Sequence, residues 1–308
     1  GTYWHSFLVN MQSPVLMDRL KELNYNLGIF AAAQLRSPEF DKTVFSGIEN
    51  LRVKSDGDTV PERDLDITED WLSWYEGKDP EQPNFSFLFY DSPHAYAFPE
   101  NYGHRYEPML DVVNYLEFDN DTDPAPFFNR YKTSVHYVDS LVKRVLDKVQ
   151  ENGELDNTLV IITGDHGQEM NDNKLNYWGH NSNFTRPQVQ VPFVIVGPQV
   201  NTKESLNTDR ITSHYDVAPT LLKNYLGVTS EIESYSVGLD LFAEPVARDW
   251  LLASKYSGYA VLTKNTILEV GATGQYELLD QTNRELKDQS PNFEYLQQAL
   301  EQISRFRK

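Results

Sequence analysis

The 308-residue chain contains no cysteine, which excludes a disulfide framework, a thiolate metal centre and a cysteine nucleophile. That absence is compatible with an oxidising compartment and with cytoplasm alike. Positive charge is scarce: 27 Lys and Arg face 46 Asp and Glu, for a formal net charge of −19. A body of that sign repels the phosphate backbone that supplies most nucleic-acid affinity, so no nucleic acid is expected among the partners. There is no glycine-rich phosphate loop and no basic run. No apolar run approaches the roughly 18 residues a membrane-spanning helix needs, and none reads as a secretion signal. The opening Gly1-Thr2-Tyr3-Trp4-His5 has no initiator Met and reads as the interior of a protein, so an upstream segment is expected.

Hydrophobic residues make up 40% and aromatics 13% of the chain, enough to build a core and too many for a disordered segment. Helical and strand signals alternate. Pro14 to Leu23 reads as a short helix with Val15, Leu16, Leu20 and Leu23 on one face, followed by a strand over Leu27–Ala31. A weaker helix is predicted from Ile67 to Tyr75, and the acidic stretch Glu62 to Glu81 reads as a solvated face. Phe85–Tyr90 is a buried-strand candidate bounded by Pro83 and Pro93. Tyr96 to Asp123, rich in Pro, Asn, Asp and Tyr, reads as a surface excursion. The longest helical pattern runs from Phe127 to Gln150. Leu159–Ile162 has the short, wholly apolar character of a central parallel strand covered on both faces. Val191–Val196 is a further strand, and Tyr215–Leu226 a helix with Pro219 in its first turn.

From Trp250 the pattern changes to short strands separated by turns, closed by a helix from Phe293 to Phe306. The fold class predicted is α/β: a mostly parallel central sheet flanked by helices, with a small C-terminal antiparallel annex and terminal helix. Residues 1–245 are expected to form the core, with 246–308 an antiparallel subdomain packed on it.

The chemistry-bearing segment is Thr158 to Gly167, where an apolar strand runs into Gly164-Asp165-His166-Gly167. Ligands gather outside the carboxyl ends of strands in open α/β sheets, and the glycines permit a sharp turn. A carboxylate oxygen beside an imidazole nitrogen suits a divalent ion such as Zn²⁺, Mn²⁺ or Mg²⁺. On this dipeptide alone the bland alternative stays open: Asp165 caps the next segment and His166 is an ordinary polar loop residue. His180, 14 residues after His166 across a polar stretch, is positioned to fold back over the same place. His94 follows the Phe85–Tyr90 strand directly, so two strands each deliver an imidazole near their ends. His136 reads as a packed or surface residue of the long helix, and His5 and His104 as loop residues. His214 reads as helping to start the next helix, with the cleft as its alternative. The aromatic excess reads mostly as core, with lipid or sugar contact as the alternative.

Taken in order, these segments resemble the sulfatase branch of the alkaline phosphatase superfamily. The likeness runs through Ser92-Pro93-His94-Ala95-Tyr96, Tyr137-Val138-Asp139, Leu155 to Gly167, Gly179-His180-Asn181, Val191–Ile195, Ser213–Leu222 and Gly238–Phe242. Within that branch the opening Gly1–Trp4 and the compact C-terminal annex resemble bacterial inner-membrane proteins with an N-terminal membrane region and a sulfatase-like periplasmic domain. The resemblance implies a metal-dependent phosphate- or sulfate-ester hydrolase or transferase on the periplasmic side of the inner membrane. Asp165 and His166 would hold the divalent ion, His180 would complete the site or bind ester oxygens, and His94 would orient the anion or protonate the leaving group. The family's nucleophile and first metal-ligand strand would lie before Gly1, leaving the isolated fragment inactive. The implied partners are an anionic ester or lipid headgroup, and a membrane reached through that absent N-terminal region. The alternative implied function is a non-catalytic domain binding lipopolysaccharide or phospholipid on the same scaffold.

Overall fold

The computed structural model describes residues 8–9, 13–200, 211–243 and 248–305. The opening Gly1–Trp4, His5, the expected boundary at 245/246 and Phe306 lie outside the described residues. Contacts divide the chain into two compact units, one built from described residues of Phe7–Glu117 with Thr122–Thr158, the other from those of Phe118–Asp121 with Leu159–Lys308. The C-terminal strands group with the second unit.

In the first unit, helix α1 (Val15–Glu22) buries Met17 and Leu20, while Val15 is exposed. Strand β1 (Asn26–Ala31) follows, then helix α2 (Val60–Glu76). Helix α2 begins earlier than hydrophobic spacing alone indicates, because Thr59 and Glu62 form a capping box and Pro61 sits in the first turn, where its missing N–H costs nothing. Strand β2 (Asn84–Phe89) lies parallel to β1, in register from Asn26–Asn84 to Ala31–Phe89. A short helix α3 (Ser92–Ala95) and the long α4 (Ala125–Glu151) complete the unit. Trp71 and Tyr75 of α2 stack at 4.6 Å and form a buried cluster with Val149 of α4, against which Phe30 of β1 and Leu88 of β2 pack. The Tyr137 hydroxyl of α4 donates to the Pro61 carbonyl at 2.8 Å, tying α4 to the start of α2.

The acidic stretch is not wholly a solvated face. Asp64 is fully buried and accepts the backbone N–H groups of Asp91 at 2.8 Å and Ser92 at 2.9 Å, which fixes the chain where it leaves β2. Burial pushes the Asp64 carboxyl up to about 6, outweighing the hydrogen bonds that favour its charged form.

The second unit opens with β3 (Val160–Thr163), followed by β4 (Glu169–Met170), β5 (Trp178–Gly179), the helical turn α5 (Arg186–Val189) and β6 (Phe193–Val196). Strands β3 and β6 pair antiparallel, from Val160–Val196 to Thr163–Phe193, which corrects the expectation of parallel pairing for β3. Among the described residues parallel pairing is confined to β1 and β2. Nor is this pair covered on both faces: Ile162 is 40% exposed, Val194 47% and Val196 48%. A short apolar run records where burial is favourable, not strand direction or the presence of a cover.

Helix α6 (Val217–Asn224) precedes a four-stranded antiparallel sheet of β7 (Trp250–Lys255), β8 (Gly258–Thr263), β9 (Thr266–Gly271) and β10 (Tyr276–Asp280), in the order β10-β9-β8-β7. The terminal helix α7 (Phe293–Ser304) covers one face, with Ala299 buried against Val261, Leu268, Val270 and Leu278. On a second cluster Ala260, Ile267 and Leu279 enclose Phe184, from the segment joining β5 to β6. The expected antiparallel annex and terminal helix are thus present, and the annex packs on the loops that follow β3.

Candidate functional site

Strand β3 ends at Thr163, and the next residues turn sharply away from the strand. The Asp165 carboxylate accepts the His166 backbone N–H at 3.0 Å through Oδ1, while its Oδ2 lies 3.8 Å from His166 Nε2. Asp165 is 65% exposed, so the carboxylate is open to solvent rather than consumed as an interior cap. His166 Nδ1 lies 2.8 Å from the Gly167 carbonyl. A carbonyl only accepts, so Nδ1 is the donor in this contact.

The polar stretch after Gly167 is not a featureless loop. Strands β4 and β5 pair antiparallel, with Glu169 opposite Gly179 and Met170 opposite Trp178. This hairpin returns the chain so that the His180 ring stacks on His166, centroids 4.0 Å apart and planes inclined at 27°. His180 Nδ1 lies 3.0 Å from Gln168 Oε1, again an acceptor. Asp165, His166 and His180 are therefore gathered in one unit.

His94 belongs to the first unit. It sits in α3, immediately after β2, with Nδ1 3.4 Å from Asp91 Oδ1 and its ring exposed. His136 is engaged by the Tyr102 hydroxyl at 2.6 Å, and His104 pairs with Glu107 at 2.6 Å on the surface.

His214, expected to start a helix, does open a 3-10 turn over His214–Asp216. Its Nε2 also lies 3.0 Å from Thr163 Oγ1, which ties it to the end of β3. The Thr163 hydroxyl also lies 2.9 Å from the Pro192 carbonyl, which ties the end of β3 to the start of β6. The turn is held from beneath by buried Asp216, which takes Arg248 bidentately at 2.7 Å and the N–H groups of Ser213 and Leu239 at 2.8 Å. Neither residue of that ion pair was singled out from sequence, where an Arg and an Asp 32 positions apart carry no signal.

The donor chemistry fits a divalent ion in part. Two imidazoles and an exposed carboxylate are nitrogen and oxygen ligands of the kind Zn²⁺ or Mn²⁺ takes, and each imidazole has an oxygen acceptor at Nδ1. Among the described residues, however, no group of three His, Cys, Asp or Glu side chains stands in a metal-holding arrangement. What the second unit supplies is an Asp165–His166 pair with His180 stacked beside it.

The sulfatase family model matches residues 7–228, and the chain belongs to that family. Among curated proteins it is similar to the inner membrane protein YejM of Salmonella typhimurium, 25% identical over 308 residues, covering 99% of this chain and 46% of that protein. It is also similar to the lipoteichoic acid synthase-like protein YvgJ of Bacillus subtilis, 27% identical over 196 residues, covering 61% of this chain and 29% of that one. The chain thus spans less than half the length of these relatives. Among solved structures, the phosphonate monoester hydrolase of Agrobacterium radiobacter superposes with a TM-score of 0.64 at 14% identity, covering 94% of this chain and 80% of the other. That likeness establishes the alkaline phosphatase-like fold. Among the described residues no helix is long and apolar enough to cross a membrane.

Proposed function

We propose that this chain is the metal-binding part of a phosphate- or sulfate-ester hydrolase or transferase, carried by a bacterial envelope protein on the periplasmic side of the inner membrane. The observation that carries the reading is the Asp165–His166 pair at the end of β3, with facing atoms 3.8 Å apart, open to solvent and flanked by the stacked His180 ring. Asp165 and His166 would hold the divalent ion. When bound, such an ion offsets negative charge growing on non-bridging ester oxygens. His180, stacked on His166, is assigned to completing the ligand set or contacting an ester oxygen. His94, with Asp91 at its Nδ1, is assigned to orienting the anion or protonating a leaving group. No residue among these 308 is assigned the covalent step. Membership of the sulfatase family and the likeness to YejM support both the chemistry and the compartment assigned here.

A second reading is a non-catalytic domain that binds lipopolysaccharide or phospholipid headgroups. It draws support from the likeness to the inner membrane protein YejM. Elemental analysis of the purified chain after Zn²⁺ or Mn²⁺ loading separates the two. One equivalent of metal in the wild type and none in Asp165→Ala supports the metal reading. No metal in the wild type, with retention on lipopolysaccharide-containing vesicles, supports the second.

A further inference from the structure

The β4–β5 hairpin contains a buried carboxylate that the proposed chemistry does not use. Glu169 is fully buried, and three side-chain amides donate to it: Asn173 to Oε1 at 2.9 Å, Asn183 to Oε2 at 2.7 Å and Gln188 to Oε2 at 2.6 Å. Among the described residues no Lys or Arg pairs with it. The amides are not free to turn over. Gln188 Oε1 accepts the N–H groups of Ser182 at 3.1 Å and Asn183 at 3.3 Å, and Asn183 Oδ1 accepts the N–H and hydroxyl of Thr185 at 2.9 and 2.7 Å. Their NH₂ groups therefore face inward, onto a carboxylate that offers only acceptors. A buried network with every member satisfied is rigid, and one with a donor set against a donor is not.

Two connections lead from Glu169 to the imidazoles. Through the hairpin, Glu169 is paired with Gly179, and the flanking residues Gln168 and His180 meet at 3.0 Å. Through Gln188, the Gly167 N–H donates to the Gln188 carbonyl at 2.9 Å, and Gly167 in turn holds His166 Nδ1 on its own carbonyl. Gly167 could not carry a side chain here, since a Cβ would stand 2.1 Å from the Pro187 carbonyl oxygen. The backbone of the His166 turn is thereby seated directly on α5.

We propose that Glu169 is a positioning residue that sets the separation and tilt of the His166 and His180 imidazoles. Only the metal arm of its test rests on the reading given under Proposed function. The experiment uses the isotope-labelled full chain as wild type, Glu169→Gln and Gln188→Ala, read by histidine-ring NMR and by Zn²⁺ titration. Glu169→Gln keeps the shape of the side chain but sets an NH₂ group among amide donors. The expected result is loss of the through-space contact between the His166 and His180 rings and of their mutual ring-current shifts. The His136 ring signals, from the first unit, stay unchanged and report that the chain is folded. Zn²⁺ affinity is expected to fall about 10- to 100-fold. If Glu169→Gln does not fold, Gln188→Ala, which removes one donor of three, carries the same expectation. Retention of the inter-ring contact in a folded variant overturns the proposal, as does unchanged Zn²⁺ affinity in a chain that binds Zn²⁺. A wild type that binds no Zn²⁺, together with loss of the contact in Glu169→Gln, supports the positioning role and contradicts the metal reading alone.

Discussion

The imidazole of His166 lies 4.0 Å from that of His180, and each ring donates its Nδ1 proton to a different acceptor, the Gly167 carbonyl and the Gln168 side-chain oxygen. Two neighbouring rings are thereby each anchored through Nδ1.

Removal of the Gln168 acceptor tests that relationship. Gln168→Ala takes away the oxygen that His180 Nδ1 meets at 3.0 Å. Zn²⁺ affinity, measured by calorimetric titration, is expected to drop about tenfold. His104→Ala, which removes an exposed surface pair with Glu107, is the control and is expected to leave affinity unchanged. Equal affinities for wild type and Gln168→Ala would contradict a role for that contact.

Gly167→Ala is expected to destabilise the chain. The added Cβ meets backbone rather than a flexible side-chain end, so the turn itself has to shift. Overpacking of this kind costs about 1–3 kcal/mol, readable as a lower urea midpoint at unchanged slope.

Asp64 gives a pH signature with a definite sign. Its carboxyl is raised from an ordinary 3.8 to about 6 by burial, so the folded chain holds a proton there that the unfolded chain has released. Its contribution to stability is fully present below about pH 4 and is lost as pH rises to about 6, a change of up to about 3 kcal/mol. Chemical denaturation across that window is expected to show the wild type losing stability relative to Asp64→Asn. Parallel pH profiles for the two proteins would rule this out.

The bidentate Arg248–Asp216 pair is buried, and removing one partner strands the other charge. Arg248→Ala is expected to cost about 3–5 kcal/mol in denaturant unfolding. Arg248→Lys is expected to recover little of it, because an ammonium does not reproduce the two-pronged contact.

Much of the scaffold was legible in the sequence because its elements have strong periodicity. The long helix α4, the strands β1 and β2 and the antiparallel strands β7–β10 all follow hydrophobic spacing and turn residues. The Asp165-His166 pair was legible because it follows an apolar strand between glycines. The direction of β3 against β6 was not, since pairing is set by the intervening connection and not by the composition of either strand. The β4–β5 hairpin was also hidden. Each strand has two residues, and the Asn- and Gln-rich stretch that holds it reads as loop when amides are taken as solvent-facing. Glu169 and Asp64 show the same limit: a buried carboxylate is recognised by the donors that surround it, and those come from scattered positions. The one usable signal was the density of Asn and Gln between residues 168 and 190, more than a short solvated connection requires.

The most direct test of the account is a crystal of the chain grown with Zn²⁺ and measured at the zinc absorption edge. The account expects an anomalous peak at about 2.0–2.2 Å from an Asp165 oxygen and from His166 Nε2. A zinc-saturated crystal with ordered Asp165 and His166 side chains and no peak between them would contradict it.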